Sequence, residues 1–212
     1  MIKGPPHTVL FSEACERNKR PLLAVLERWL PRPARVLEVG SGSGQHAVHF
    51  TQGLSQVQWQ PTELEPNVMA LQDRISQEGA LQPAAGSQLC NATPLDVTNG
   101  PWPEGPYDAV FSANTAHIMP LESVGNLLAG AARILRDGGL LLLYGPFSDA
   151  GEHTAPSNEL FDAHLRGIDP AMGVRDADWI IAKAAGLQLQ LIADVVMPSN
   201  NRTLIFQRPQ QA

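Results

Sequence analysis

The chain has 212 residues, of which 15 are Lys or Arg and 21 are Asp or Glu, so its formal net charge is −6. Hydrophobic residues make up 43% of the chain, which is typical of a folded domain and too apolar for a disordered one. The acidic balance argues against a protein that binds nucleic-acid phosphates regardless of sequence, because such proteins cluster Lys and Arg. The length favours a single domain over residues 1–212.

Cysteine use and apolar runs indicate the compartment. Cys15 and Cys90 form neither a CxxC pair nor a ligand cluster, as expected of two reduced thiols. The first ten residues lack the apolar stretch of a signal peptide, and the longest apolar run, at 140–144, is far too short for a membrane helix. We therefore expect a cytoplasmic protein that does not enter a membrane.

After an arm of 11 residues, short β-branched runs alternate with amphipathic stretches, which predicts βαβ units. Strands are predicted at 35–39, 57–63, 107–113, 140–144, 187–197 and 203–207. Helices are predicted at 16–30, 45–54, 68–78, 121–135, 158–166 and 176–185. Residues 81–90 show no clear pattern, and 91–106 indicate a loop.

Two turn signals complete this prediction. Asp137-Gly138-Gly139 should cap the helix predicted at 121–135. The last two strands are joined by a tight turn at 198–201, so they should form an antiparallel hairpin. The sequence therefore predicts an α/β fold, with a doubly wound, mostly parallel sheet and an antiparallel C-terminal hairpin.

Three glycines follow the first strand, in the segment Glu38-Val39-Gly40-Ser41-Gly42-Ser43-Gly44. Glycines there let the backbone turn and approach a ligand beyond the carboxyl end of the strand. A dinucleotide fingerprint would need glycine at position 45, where glutamine stands, and a P-loop would need Lys-Ser or Lys-Thr after the glycines. Glu38 would repel a pyrophosphate and attract an ammonium group. The loop therefore argues against a nicotinamide-dependent oxidoreductase.

Two acidic positions further along could bind an adenosine. Glu63, at the end of the second predicted strand, could accept both ribose hydroxyls, and Leu64 could cover one face of the adenine. Asp96 could accept from the adenine amino group while the Val97 amide donates to a ring nitrogen. Both carboxylates could instead be solvated loop residues.

From Arg35 to Pro146 the chain resembles the class I S-adenosylmethionine-dependent methyltransferases. The motifs that carry this resemblance are, in order, EVGSGSG, TELEP, LDV, YDAVFSANTAHI and ILRDGGLLLLYGP. The resemblance implies a seven-stranded sheet with a reversed hairpin at one edge and S-adenosylmethionine as the cofactor. It also implies that the amino acid moiety lies near Glu38 and among Gly40, Gly42 and Gly44, with Glu63 on the ribose and Asp96 on the adenine.

A closer resemblance covers nearly the whole chain and is to the methyltransferase-like 26 family, which is largely described as being of unknown function. It is carried by FSEACERNKRPLL, YGPFSDAGEHTAPSNELFDAHLR, IDPAMGVRDADW and MPSNNRTLIF. This resemblance sharpens the expected fold and cofactor and says little about the methyl acceptor.

The loop at 112–120 should pass beside the methyl group of the donor. His117 is the candidate base there, since an unperturbed imidazole has a pKa near 6.5, although it could equally be a hydrogen-bonded loop residue. Asn114 would bind the donor through its backbone. The loop contains no Asn-Pro-Pro-Tyr, Asp-Pro-Pro-Tyr or Pro-Cys motif, which argues against adenine-amino and cytosine-C5 methylation and hence against a nucleic-acid substrate.

Residues 145–173 form a long connection and are predicted to be a lid over the acceptor pocket. Its candidate substrate-binding residues, with one from just beyond it, are Phe147, Asn158, Asp162 and Arg175. The guanidinium of Arg175 could hold an acidic substrate group or could pair with Asp176 or Asp178.

In the first helix, Arg17 or Asn18 could close over the carboxylate of the donor or could be ordinary polar residues. His46 and His49 lie one turn apart without a third ligand at metal spacing, so no metal is predicted. The sequence thus favours an S-adenosylmethionine-dependent methyltransferase that acts on a small molecule. The alternative is a protein that binds S-adenosylmethionine without catalysis and acts through a protein partner.

Overall fold

A computed structural model describes residues 11–79 and 83–210. These residues belong to two compact units, Met1–Leu95 and Asp96–Ala212. The arm predicted at 1–11 lies outside the described residues except for Phe11, as do residues 81 and 82 of the segment without a clear pattern. Among the described residues, no helix is long and apolar enough to cross a membrane.

The first unit is built from alternating helices and parallel strands. Helix α1 begins after Ser12, whose hydroxyl oxygen accepts a hydrogen bond from the amide of Cys15 at 3.3 Å. The elements, in chain order, are α1 (Glu13–Trp29), β1 (Ala34–Val39), α2 (Gln45–Gly53), β2 (Val57–Glu63), α3 (Glu65–Arg74) with a π-helical turn (Ile75–Gly79), β3 (Gln88–Leu89) and β4 (Thr93–Pro94).

Strands β1 and β2 define the edge at which the glycine segment lies. They run parallel, with Val39 opposite Thr62, and β2 also pairs in parallel with β3 and β4. Below this edge the rings of Phe50 and Trp59 pack with centroids 5.3 Å apart, so α2 is held against β2. Because the carboxyl ends of parallel strands meet at one edge, the residues that follow β1 lie beside Glu63.

The second unit combines a parallel strand pair with an antiparallel hairpin. Its elements, in chain order, are β5 (Tyr107–Ala113), α4 (Leu121–Ile134), β6 (Leu135–Gly145), β7 (Phe147–Asp149), β8 (Glu152–His153), α5 (Pro156–Ile168), β9 (Arg175–Asp176), α6 (Ala177–Ala185), β10 (Gln190–Met197) and β11 (Asn201–Gln207). Strand β5 is parallel to β6, which is antiparallel to β11, which in turn is antiparallel to β10.

The C-terminal hairpin confirms the prediction made from its turn. Ser199 and Asn200 lie in the short connection between the paired residues Met197 and Asn201, and both have positive φ angles, 61° and 55°, as is common in tight hairpin turns. Together with the parallel pairs of both units, this hairpin confirms the predicted α/β fold class.

One local prediction was wrong, and one segment contains short strands that were not predicted. Gly138 and Gly139 do not cap α4; instead β6 begins directly after the helix, at Leu135. The amide of Gly138 donates to the Arg208 carbonyl, and the amide of Arg208 donates to the Gly139 carbonyl, so pairing with the distant C-terminal segment determines the conformation here. The connection at 145–173 also contains β7 and β8, which form a small sheet with β9.

Candidate functional site

The glycine segment leaves β1 with Gly40, Gly42 and Gly44 all at positive φ, at 71°, 53° and 75°. A Cβ on Gly44 would lie 2.7 Å from Cδ1 of Leu71, so the side chain of Leu71 would have to shift to make room for it. A Cβ on Gly42 would meet no heavy atom of the described residues within 4 Å. The backbone of Gly42 therefore faces space that a ligand could fill.

Glu63 ends β2 with a half-buried carboxylate beside this space. Its Oε2 accepts the amide of Gly42 at 2.8 Å, and its Oε1 accepts the amide of Leu64 at 2.9 Å. Each carboxylate oxygen can accept a further hydrogen bond. Leu64 is 50% exposed as the N-cap of α3. The structure thus brings Gly42, Glu63 and Leu64 together, while what they bind stays a prediction.

Glu38 supports the glycine segment from the protein interior. It is 2% exposed, and its Oε2 accepts the Ser41 hydroxyl at 2.8 Å and the Trp59 indole N–H at 2.9 Å. Burial raises the pKa of Glu38 to about 7, although both hydrogen bonds act to lower it. These contacts hold the segment against β2, and the predicted attraction of Glu38 for an ammonium group rests on the sequence alone.

Trp59 and Gln45 are two site residues that the sequence reasoning missed. A Trp on a buried strand needs a partner for its indole N–H, and that requirement was the available signal for Trp59. Gln45 connects the glycine segment to the start of α1: its Oε1 accepts from the Ser12 amide at 2.6 Å and the Ser43 hydroxyl at 2.9 Å, and its Nε2 donates to Glu16. That connection joins residues about 30 positions apart, which no local pattern indicates.

Asn18 and Arg17 have different environments in α1. Asn18 is buried, and its Oδ1 lies 2.6 Å from Nε2 of His46, whose ring stacks on Phe50. Burial, together with the nearby positive charges of His49 and Lys19, lowers the pKa of His46 to about 4. Arg17 is exposed. Asn18 therefore serves as an internal contact between α1 and α2, and closure of either residue over a carboxylate stays a prediction.

Asp96 begins a turn in the second unit. Its Oδ1 accepts the amide of Thr98 at 2.8 Å and its Oδ2 accepts the side-chain amide of Asn99 at 3.2 Å. The bond from Thr98 is the largest cause of the lowered pKa of Asp96. These bonds match the loop-carboxylate alternative that the sequence left open. Contact of Asp96 or Val97 with adenine stays a prediction.

The loop after β5 carries Asn114 and His117. Asn114 has a φ of 59°, and its amide donates to the Tyr144 carbonyl at 2.9 Å, so a backbone contact to a ligand would have to use its carbonyl. His117 is 6% exposed, and its ring meets Phe161 edge-on at 5.1 Å. Burial, and then the charge of Arg175, lower the pKa of His117 to about 4. Its imidazole is therefore neutral at pH 7.

The candidate substrate residues on the 145–173 connection make internal contacts. Phe147 is 1% exposed, with the guanidinium of Arg202 6.0 Å from its ring centroid. The side-chain amide of Asn158 donates to the Thr154 hydroxyl and to the Asn200 carbonyl. These bonds fold the connection onto the hairpin turn.

Asp162 and Arg175 are buried in the same region. Asp162 accepts the amide of Val174 at 2.6 Å and the Arg166 guanidinium at 2.7 Å. Arg175 donates from Nε to the Ala116 carbonyl at 2.9 Å, and from Nη2 to two further carbonyls. The sequence offered two partners for Arg175, an acidic substrate group or the aspartates Asp176 and Asp178. The hydrogen bonds in the structure go to main-chain carbonyls instead.

Solved methyltransferases share this fold. An O-methyltransferase family protein from Burkholderia thailandensis matches with a TM-score of 0.74 and 18% identity, over 94% of this chain and 59% of that one. Human N-acetylserotonin methyltransferase, in complex with S-adenosylmethionine, matches with a TM-score of 0.72 and 13% identity, over 93% of this chain and 53% of that one. The mitomycin 7-O-methyltransferase MmcR matches with a TM-score of 0.75 and 15% identity, over 92% of this chain and 54% of that one.

At these identities the likeness concerns the fold alone, and the chain spans less than two thirds of the length of each of these proteins. The class that these matches define is a fold class, the Rossmann-like fold that these methyltransferases have. Within this fold class, the chain belongs to the family described as protein of unknown function DUF938, which matches residues 9–208.

Proposed function

We propose that this protein is an S-adenosylmethionine-dependent methyltransferase that acts on a small-molecule acceptor. The observation that carries the proposal is the Glu63 carboxylate, bonded to the Gly42 amide beside the open space at Gly42. A carboxylate at the end of the second strand is placed to accept ribose hydroxyls in folds of this kind. The fold shared with methyltransferases and the resemblance to the methyltransferase-like 26 family support the same ligand.

The residues of the first unit fit this cofactor. Glu63 would accept the ribose hydroxyls with its remaining acceptor capacity, and Leu64 would cover the adenine. The positive φ angles of Gly40, Gly42 and Gly44 let the backbone approach the amino acid moiety, with Glu38 below. Bound S-adenosylmethionine would supply an electrophilic methyl group. Contacts from Arg17, Asn18, Asp96, Val97 and the Asn114 backbone are part of the proposal on the strength of the resemblance.

His117 would take the proton of an acceptor that binds in its protonated form. A pKa of about 4 makes the imidazole a weak base at pH 7, so we assign more of the rate to positioning and exclusion of water than to proton transfer. The segment 145–173 would be the lid, with its shape held by Phe147, Asn158 and Asp162. Loss of turnover in a His117→Gln variant tests the proton-accepting role.

A second function is favoured by the same histidine. Because His117 is 6% exposed and has its pKa lowered, the protein could bind S-adenosylmethionine without catalysis and act through a protein partner. A screen of small-molecule acceptors with methyl-labelled S-adenosylmethionine separates the two functions, since only the enzyme transfers the label. The acidic charge supports small molecules over nucleic acid as acceptors, and the cytoplasm is the proposed location.

Calorimetry and thermal unfolding with S-adenosylmethionine, its demethylated product and NAD test the cofactor assignment. A ligand that binds only the folded protein raises the melting temperature by mass action. We expect both sulfur ligands to bind and to raise the melting temperature, and NAD to do neither. Binding of NAD alone, or of none of the three, would contradict the proposal.

A further inference from the structure

A buried guanidinium joins two segments of the second unit that are far apart in sequence. Arg175, at the start of β9, is 7% exposed. Its Nε donates to the carbonyl of Ala116 at 2.9 Å, and its Nη2 donates to the carbonyls of Met119 at 2.7 Å and Ala171 at 2.6 Å. We call this set of three bonds the Arg175 clamp. Two of these bonds reach residues on either side of His117, at Ala116 and Met119.

A second set of bonds runs beside the clamp. The amide of Gly173 donates to the His117 carbonyl at 2.9 Å, and the amide of Val174 donates to the Asp162 carboxylate at 2.6 Å. Phe161, the neighbour of Asp162 on α5, contacts the His117 ring. Helix α5, residues 173–175 and the His117 loop are thus connected by consecutive contacts.

The hydrogen-bond partners of the buried Arg175 guanidinium are backbone carbonyls. Burying a guanidinium is costly unless its donors are satisfied. Among the described residues no carboxylate lies within ion-pair distance of Arg175, and its partners are main-chain carbonyls. A carbonyl belongs to the backbone itself, so each bond restrains the path of the chain and not a mobile side chain. Arg175 therefore restrains the loop at both ends, at Ala116 and at Met119.

We propose that Arg175 is a positioning residue of the methyltransferase: through its clamp it holds the loop 116–119 so that the His117 ring stays seated against Phe161. That Arg175 holds the loop follows from its hydrogen bonds, while a role for the loop in catalysis rests on the proposed function. The acceptor-binding role that the sequence suggested for Arg175 stays a prediction beside this one.

Hydrogen exchange and NMR on the full chain test the clamp without any acceptor. In Arg175→Met we expect amide exchange at Ile118, which donates to the Thr115 carbonyl within the segment 115–119, to rise by about tenfold or more, the scale of a lost charge-assisted hydrogen bond. The ring proton resonance of His117 should also move, because it loses the ring current of Phe161. Arg175→Lys, which keeps the charge and reaches fewer carbonyls, should give an intermediate increase.

The matched control is Arg136→Met, which removes an exposed guanidinium of the same unit that pairs with Asp108. It should change neither the exchange at 115–119 nor the His117 resonance. Unchanged exchange and resonance in Arg175→Met would overturn the inference, as would an equal change in the control. If Arg175→Met does not fold, the lysine variant is decisive by the same two readouts.

A calorimetric titration with S-adenosylmethionine keeps this inference separate from the proposed function. Failure of the unmodified protein to bind it would count against the proposed function and leave the exchange result standing. We expect both the unmodified protein and Arg175→Met to bind S-adenosylmethionine. Of these two proteins, only Arg175→Met should show the raised amide exchange.

Discussion

Glu38 and Glu63 lie near the ends of neighbouring strands, and their surroundings give the two carboxyl groups different chemistry. Glu38 is buried against Trp59 and Ser41, and its pKa is raised to about 7. Glu63 is half-buried and bonded to two backbone amides. Of the two, Glu63 is the one positioned to accept hydrogen bonds from a ligand, and Glu38 is the one that holds the glycine segment.

Replacing Glu63 with alanine should weaken S-adenosylmethionine binding by about tenfold or more, because charge-assisted hydrogen bonds to the ribose would be lost. Isothermal titration calorimetry measures the effect. The matched control is Glu65→Ala, since Glu65 is exposed and only two positions away. Equal dissociation constants for the two variants would remove Glu63 from the proposed site.

At the residue scale, the sequence located the glycine segment and Glu63 but did not indicate their support. The spacing of glycines is a local pattern, so Gly40, Gly42 and Gly44 could be found directly. The bonds of Trp59 and Arg175 join positions that are far apart in sequence, so those roles appear only in the folded chain.

At the scale of elements, the turn from the glycine segment into α2 depends on one position. Gly44 is the N-cap of α2, with a φ of 75°, and a Cβ there would lie 2.7 Å from the side chain of Leu71. The left-handed backbone conformation therefore favours glycine at this position, and the contact with Leu71 adds to that preference.

Gly44→Ala should lower the free energy of unfolding, by roughly 1–2 kcal/mol from the left-handed conformation alone. Gly167→Ala is the matched control, because Gly167 lies in α5 and, apart from its own helix backbone and chain neighbours, no heavy atom of the described residues lies within 4 Å of its Cβ position. That variant should gain about 0.5–1 kcal/mol from helix propensity. Urea denaturation measures both, and a loss of stability in Gly167→Ala equal to that in Gly44→Ala would refute the explanation.

Element boundaries were predictable where the local pattern decides them. Strands β2 and β5 occupy the predicted residues, since in each strand apolar residues recur at every second position. The end of α4 was predicted to within one residue, but the start of β6 at Leu135 was not, because Gly138 and Gly139 pair with Arg208 from the far end of the chain.

At the scale of the whole molecule, buried titratable groups determine how stability varies with pH. His46 and His117 have pKa values lowered from 6.5 to about 4, so they take up protons on unfolding and acid favours the unfolded chain. Glu38 acts in the opposite direction, because its pKa is raised from 4.5 to about 7 and it releases its proton on unfolding in that range. The contributions are of similar size, on the order of 3 kcal/mol each, so the two histidines outweigh the one carboxyl.

We therefore expect the free energy of unfolding to rise between pH 4 and pH 6.5, as measured by chemical denaturation at intermediate pH values. The rise should be steeper in Glu38→Gln, since that variant lacks the opposing carboxyl. Glu65→Gln, at an exposed position, should follow the unmodified protein. Parallel pH profiles for all three proteins would show that Glu38 does not titrate as its burial implies.

The sequence by itself determined the α/β class, the alternation of elements, the hairpin and the glycine segment, because each of these depends on residues within about one turn or one strand of each other. The tertiary structure alone decided the burial of Glu38, the partner of Asn18 and the three carbonyls held by Arg175. A buried polar group must find a partner wherever the fold supplies one, and for these residues the fold supplies it from a segment that local sequence does not reveal.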